Sequence, residues 1–375
     1  MKRLIISLLT VLMIAAADAA SVTEHVNPFV GTSNYGTTNP GALCPNGMMS
    51  VTPFNVMGSE KNRFDKDSRW WSTPYSNDNC FFTGFSHVNL SGVGCPEVGI
   101  ILTMPTTGEV NPDYHIYGSE MHDQQAEPGW YSCMLGSYGI KAEAAATDRT
   151  CVERYTYPEG RSNILINLGE GLTNETGAWL RKVSDTEIEG MRLAGTFCYN
   201  PQAVFPVYFA IRISKEPSES GFWKMQPKMT GVEAAWTADD GTYKMYRRYG
   251  REIAGDDIGY WFSFDTAEGE QVELQMAVSF VSCANAWKNL EAEQGGMQKG
   301  AAFDTVRSQA HGKWEEHLSR IKVSGGTEKD KEVFYTALYH ALIHPSILND
   351  ANGEYPYSLE KYETLEVNRN KIIIN

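Results

Sequence analysis

The sequence predicts a mainly β fold, an N-terminal β-sandwich followed by linker helices, on three observations. From Val22 to about Ser282, short apolar or alternating runs are separated by Gly, Pro, Asn and Asp, the spacing of a many-stranded sandwich. At about Ala284 the period changes to helix formers with apolar residues three or four apart. With 375 residues, 42% hydrophobic and 21% charged, the chain can bury a sizeable core and make two domains.

Taken in order, residues 1–19 read as a secretory signal. Lys2 and Arg3 precede an apolar run from Leu4 to Ala17, and Ala17-Asp18-Ala19 is a small-x-small cleavage site. The run is shorter than the roughly 20 residues of a membrane span and is broken by Ser7 and Thr10. The mature chain is therefore expected in the periplasm or outside the cell.

Strand runs follow at Met48–Pro53, Val98–Met104, Ile164–Leu168, Val204–Ile213, Tyr260–Phe264 and Val272–Val281. The longest, AVFPVYFAIRIS, has β-branched and aromatic residues on both faces and should be an inner strand. After the sandwich (22–282), the segment 284–326 reads as two helices broken at Gly295-Gly296. Phe303, Val306, Ala310, Trp314, Leu318 and Ile321 share one face of the second. Thr327 with Asp330 offers a weak capping box for a third helix. That helix aligns Val333, Phe334, Ala337, Leu338, Ala341 and Leu342 as an apolar stripe, expected to lie exposed for want of helical partners, and it ends at His344-Pro345.

The formal net charge of -14, from 46 acidic against 32 basic residues, argues against nucleic acid or an anionic membrane as partner. A neutral sugar is compatible, and nine Trp with nineteen Tyr suit stacking on sugar faces, although core packing is the commoner fate of aromatics. The seven cysteines lack C-x-x-C spacing, which disfavours a zinc knuckle or redox motif. Their odd number leaves a thiol unpaired, and pairing of the rest is not readable.

The stretch most suited to a ligand is Gly84–Gly99, GFSHVNLSGVGCPEVG. Glycine at that density lets backbone approach a ligand or take positive φ. The spacing excludes a dinucleotide fingerprint, while a bulged hairpin without ligand is the plain alternative.

This stretch, extended as GFSHVNLSGVGCPEVGIILTMPTTGEV, resembles the signature of the family 92 glycoside hydrolases, calcium-dependent exo-α-mannosidases. VNPFVGT, NPGALCPNGMMSVTPFN, SFVSCANAWKNLEAE and VFYTALYHALIHPSILNDANGEYP agree in order and spacing, from about Val26 to Pro356. The resemblance implies that residues 327–375 are a fragment of an (α/α)6 catalytic domain, so that the chain holds the first helix of an incomplete (α/α)6 barrel and is truncated. It implies inverting hydrolysis of terminal α-linked mannose on N-glycans or mannan, with calcium as cofactor. Both catalytic carboxylates and the calcium ligands would come from the missing helices, leaving this chain inactive by itself. By matching motifs, Phe29 would form a wall against the sugar, and His87, Asn89, Cys95 and Glu97 would line the neighbouring subsite. Val88 stands where many members preferring α-1,2 linkages have Trp, which puts linkage preference in doubt.

The residues also carry plainer readings. His87 is otherwise a strand-end histidine bonded to backbone, and Cys95 a buried small hydrophobe. His340 and His344, i and i+4, lack the glutamate of H-E-x-x-H, so packing is expected rather than zinc. Asp350-Ala-Asn-Gly-Glu-Tyr is expected to be a turn, lacking the acidic positions of a calcium loop. The alternatives to a mannosidase are a non-catalytic carbohydrate-binding sandwich and, more weakly, a sandwich-plus-barrel phosphorylase.

Overall fold

Alternating and doubly apolar runs pair into two antiparallel sheets in a computed structural model, which describes residues 21–57, 71–173, 177–195, 204–225, 243–247, 250–356 and 373–374. The first sheet has the order β1 (Ala42–Leu43), β2 (Ser50–Pro53), β4 (Phe85–Asn89), β5 (Val98–Thr107), β10 (Gly160–Asn167), β17 (Ile258–Thr266), β14 (Glu219–Met225) and β15 (Tyr243–Tyr246). The second runs β16 (Glu252–Gly255), β11 (Ala178–Lys182), β12 (Glu187–Ala194), β13 (Phe205–Ile213), β18 (Glu270–Ser279), β9 (Thr150–Tyr157), β8 (Ile140–Ala146), β7 (Trp130–Leu135), β6 (Ser119–Glu127) and β3 (Phe81–Phe82). A short helix, α1 (Tyr114–Tyr117), joins β5 to β6.

Side-chain alternation on β9 shows how the layers form. Cys151, Tyr155 and Tyr157 join the main core cluster, whereas Val152 packs with Phe303 and Val306 of the helical segment. Arg154, also on the helical side, lies over the Phe303 ring at 4.0 Å. Both faces of the second sheet are thereby covered, one by the first sheet and one by helices. The run expected to be an inner strand is β13, between β12 and β18.

Three long helices follow the strands: α2 (Cys283–Gln294), α3 (Phe303–Leu318) and α4 (Glu328–Ile343). The Ser282 side chain caps α2, and Thr327 with Asp330 forms a complete capping box at α4, satisfying N–H groups that have no partner within the helix. The expected exposed stripe of α4 is corrected in part. Val333 is exposed, but the helix has a partner: Tyr335, Tyr339 and Ile343 are buried against Val22, Val26, Leu43, Trp314 and Leu318. Phe334, Leu338 and Leu342 border that contact half-buried. The buried face is centred on tyrosines, one position round the helix from the aliphatic stripe.

Candidate functional site

The Gly84–Gly99 stretch forms strand β4, a loop, and the start of β5. Register shifts between Phe85 and His87 in the β4–β5 pairing. Val88, Val98 and Ile101 have φ of 59°, 51° and 55°, conformations that β-branched side chains strongly disfavour. Such backbone costs of order 1–3 kcal/mol per residue and persists where surrounding structure over-determines it, typically at functional sites. Gly92, at φ 80°, has open space where a side chain would stand.

Beneath the loop lies a polar lock between the sheets. His87 is wholly buried. Its Nδ1 is 2.6 Å from the Ile101 carbonyl oxygen, so Nδ1 carries the proton and donates. Nε2 lies 2.7 Å from Glu153 Oε1 across the sandwich, although the N–H direction falls short of an aligned hydrogen bond. Glu153 also accepts from Thr103 Oγ1 at 2.8 Å and from the Tyr155 hydroxyl. The expectation that His87 lines a sugar subsite is therefore corrected: its ring is enclosed, and its partners are protein groups.

Asn89 is likewise internal. Its Oδ1 accepts from Ser86 Oγ at 2.8 Å, its Nδ2 donates to the Ser86 carbonyl at 2.8 Å, and its N–H donates to Ser50 Oγ at 2.6 Å. It shapes the root of the loop instead of facing a ligand. Cys95 is neither a free thiol nor simply a packed hydrophobe, because it is disulfide-bonded. Cys95 and Glu97 are half-buried on the loop.

Phe29 opens a turn in which Thr32 Oγ1 donates to its carbonyl at 2.8 Å, and its half-buried ring packs against the main core. The chain from this turn runs to the loop. The Gly92 N–H donates to the Thr37 carbonyl at 2.9 Å, and Asn39 Nδ2 donates to the Leu90 carbonyl at 3.1 Å. A third segment, unmarked as part of this site by sequence reasoning, completes the rim: the Ser91 N–H donates to His344 Nε2 at 3.2 Å. The structure thus brings the Phe29 turn, the Cys95–Glu97 loop and the end of α4 to one place, with His87 and Asn89 as its foundation.

This arrangement offers hydrogen-bonding backbone and an apolar ring, the means of holding a polar ligand. Among the described residues, the one His/Cys/Asp/Glu group at metal-ligand spacing is His87, Cys151 and Glu153. It contributes one nitrogen, one sulfur and one carboxylate, whereas calcium takes six to eight oxygens; the set does not fit calcium. The Asp350 segment is a turn, with the Gly353 N–H donating to the Asp350 carbonyl at 2.8 Å. Its carboxylate is occupied by Ser279, Asn285 and Asn289, each a donor.

Residues 25–279 match the Glycosyl hydrolase family 92 N-terminal domain, and 285–371 match the Glycosyl hydrolase family 92 catalytic domain. The chain belongs to glycosyl hydrolase family 92. Among solved structures, the family GH92 α-mannosidase BT3965 from Bacteroides thetaiotaomicron is 30% identical with a TM-score of 0.74, over 90% of this chain and 43% of that one. The same relative is also known in complex with mannoimidazole. The family 92 glycosyl hydrolase ccman5 is 25% identical with a TM-score of 0.73, over 89% of this chain and 42% of that one. An uncharacterized secreted glycosidase of Arthroderma benhamiae is 26% identical over 366 residues, 92% of this chain and 44% of the relative. The family 92 chain described here spans less than half the length of these relatives.

Proposed function

We propose that this chain carries the sugar-binding β-domain of an exported, calcium-dependent exo-α-mannosidase that removes terminal α-linked mannose from N-glycans or mannan. The observation that carries the reading is the strained Gly-rich loop, held between the Phe29 turn and the end of α4, in a chain similar to a family 92 α-mannosidase. Phe29 supplies an apolar wall to the sugar ring, and Glu97 with loop backbone groups orients hydroxyls. His87 and Asn89 act through the loop by fixing its root.

Inverting hydrolysis needs a carboxylic acid at the leaving oxygen and a carboxylate on water roughly 6.5–9.5 Å apart. We assign neither to a described residue, and place both, with the calcium site, in the family's helical domain. Calcium would supply electrophilic grip on vicinal sugar hydroxyls there. The leader at 1–19 accounts for export, in keeping with a relative described as secreted. Among the described residues no helix is long and apolar enough to cross a membrane.

The test is a chimera joining this chain in frame to the remaining helical domain of BT3965. It should release mannose from an aryl α-mannoside, lose activity in EDTA and regain it with calcium. Phe29→Ala should raise KM several-fold, about 1 kcal/mol of lost sugar contact. Calcium-independent mannose release by the 375-residue chain alone would overturn the assignment of catalysis to the helical domain; a folded chimera that ignores α-mannosides would overturn the substrate.

A further inference from the structure

We infer that His344 is a positioning residue for the sugar-facing loop: its neutral imidazole at the end of α4 receives the Ser91 N–H and ties the loop to the helical part of the chain. The inference rests on the family reading for the word sugar-facing, but its geometry does not.

His344 follows the last residue of α4 with extended backbone, φ -118° and ψ 160°, and this turns its ring back toward the sandwich. Nε2 is 3.2 Å from the Ser91 nitrogen. A backbone N–H can only donate, so Nε2 must present a lone pair and the proton of the neutral ring sits on Nδ1. There it meets Ser346 Oγ at 3.3 Å, a hydroxyl that accepts. Both ring nitrogens are matched by one tautomer, and an imidazolium would set N–H against N–H at Ser91.

The rest of the junction is built from groups that do not titrate. Asn46 donates from its backbone N–H to the Leu342 carbonyl at 3.1 Å and from Nδ2 to the Pro345 carbonyl at 2.8 Å; the Ile347 N–H donates back to the Asn46 carbonyl at 2.9 Å. Asn39 and Thr37 hold Leu90, Ser91 and Gly92 from the other side. The chain between β1 and β2 therefore grips the end of α4, the chain before β1 grips the loop, and His344 links the two directly. Protonation removes this one link and leaves the others.

Two influences oppose each other on the ring. The C-terminal end of a helix favours a cation, whereas burial disfavours one. Burial wins, holding His344 below the usual histidine range. The titratable groups on the elements meeting there are Glu97 on the loop, Cys44 before β2 and His340 one turn back on α4. None is among the causes acting on His344, so among the described residues no ion pair offsets the loss of the Ser91 bond. The link is complete at neutral pH and is lost as pH falls through the lowered folded value.

Hydrogen exchange of the 375-residue protein, read on a peptide spanning residues 89–97 and corrected for intrinsic rates, tests this without any sugar. Its outcome is separate from that of the mannosidase reading. Wild-type loop protection should fall several-fold as pH drops from 7.5 through the lowered folded value, as local opening becomes easier. His344→Gln, whose amide oxygen accepts throughout that range, should hold protection nearly constant. His344→Ala should expose the loop at both ends of the range while β9 and β10 stay protected. An unchanged loop in His344→Ala overturns the inference, as does a His344→Gln protein with the full wild-type pH dependence. If His344→Ala fails to fold, the glutamine comparison decides alone.

Discussion

At the scale of single residues, Glu153, wholly buried, and Asp257, half-buried, differ in the partners of their carboxylates. Glu153 accepts from Thr103 and Tyr155 and meets His87 Nε2 at 2.7 Å, so that groups of both sheets enclose it, and removing a partner from a buried polar group costs about 1–3 kcal/mol. His87→Ala should lower stability by that order in urea unfolding, while His87→Leu with Glu153→Leu should recover much of it. A His87→Ala protein of unchanged stability would reopen a binding role for the ring. Asp257 lacks such support: among the described residues Oδ1 has no hydrogen-bond partner, and Oδ2 receives only the Tyr243 hydroxyl at 3.3 Å. Burial pushes its carboxyl from 3.8 to about 6. Because the folded value is raised, the protein keeps its full stability below the unfolded value and loses it as pH rises from about 4 through about 6. Asp257→Asn should therefore raise Tm at pH 8, by at most about 3 kcal/mol of stability at 1.36 kcal/mol per unit, and change little at pH 4. Equal gains at both pH values would refute the charge explanation.

At the scale of elements, the first described residues act as a strap between α3 and α4. Glu315 of α3 accepts from Ser21 Oγ and from the Val22 and Thr23 N–H groups at 3.2 Å. Asn27 donates from its N–H to Thr336 Oγ1 at 2.9 Å and from Nδ2 to Glu332 at 3.1 Å, both on α4. Glu315→Ala strands two backbone donors and should cost about 1–3 kcal/mol, with faster proteolysis near residues 21–27; unchanged cleavage would show that the strap is held by Val22 and Val26 alone. None of this pairing was legible in the sequence, because it joins residues between 292 and 309 positions apart. What was legible was local: the inner strand β13, the break at Gly295-Gly296, and the Thr327–Asp330 cap. The Gly-rich stretch announced a special backbone. It did not reveal that His87 and Asn89 point inward, since a bulge changes which residues face the core, or that Cys95 is paired, since spacing carries no information on disulfides. The α4 face was missed because tyrosines were left out of the apolar count.

At the scale of the whole molecule, the question is whether sandwich and helices unfold together. Asp350, wholly buried after α4, answers it. Its Oδ2 accepts from Ser279 Oγ at the end of β18 and from Asn285 Nδ2 at the start of α2, each at 2.8 Å; Oδ1 accepts from Asn289 Nδ2 at 2.7 Å. Asn289 Nδ2 also donates to the Val278 carbonyl at 2.8 Å, and its Oδ1 accepts the Ala351 N–H at 2.7 Å. One carboxylate thus joins the last strand, the first linker helix and the chain beyond α4. Every group facing it is a donor, a role that only an acceptor-only side chain can meet in full. Asp350→Asn would turn an NH2 toward donors and should cost about 2 kcal/mol, and Asp350→Ala, which leaves three donors unsatisfied, about 3 kcal/mol or more. With the knot intact, tryptophan fluorescence and far-UV circular dichroism should report one coincident transition in urea. In Asp350→Ala the helical signal should melt first, because the sandwich keeps its own inter-sheet core and His87–Glu153 lock. Coincident transitions in that variant would show that helix packing on β13, β18 and β9 couples the layers without the carboxylate.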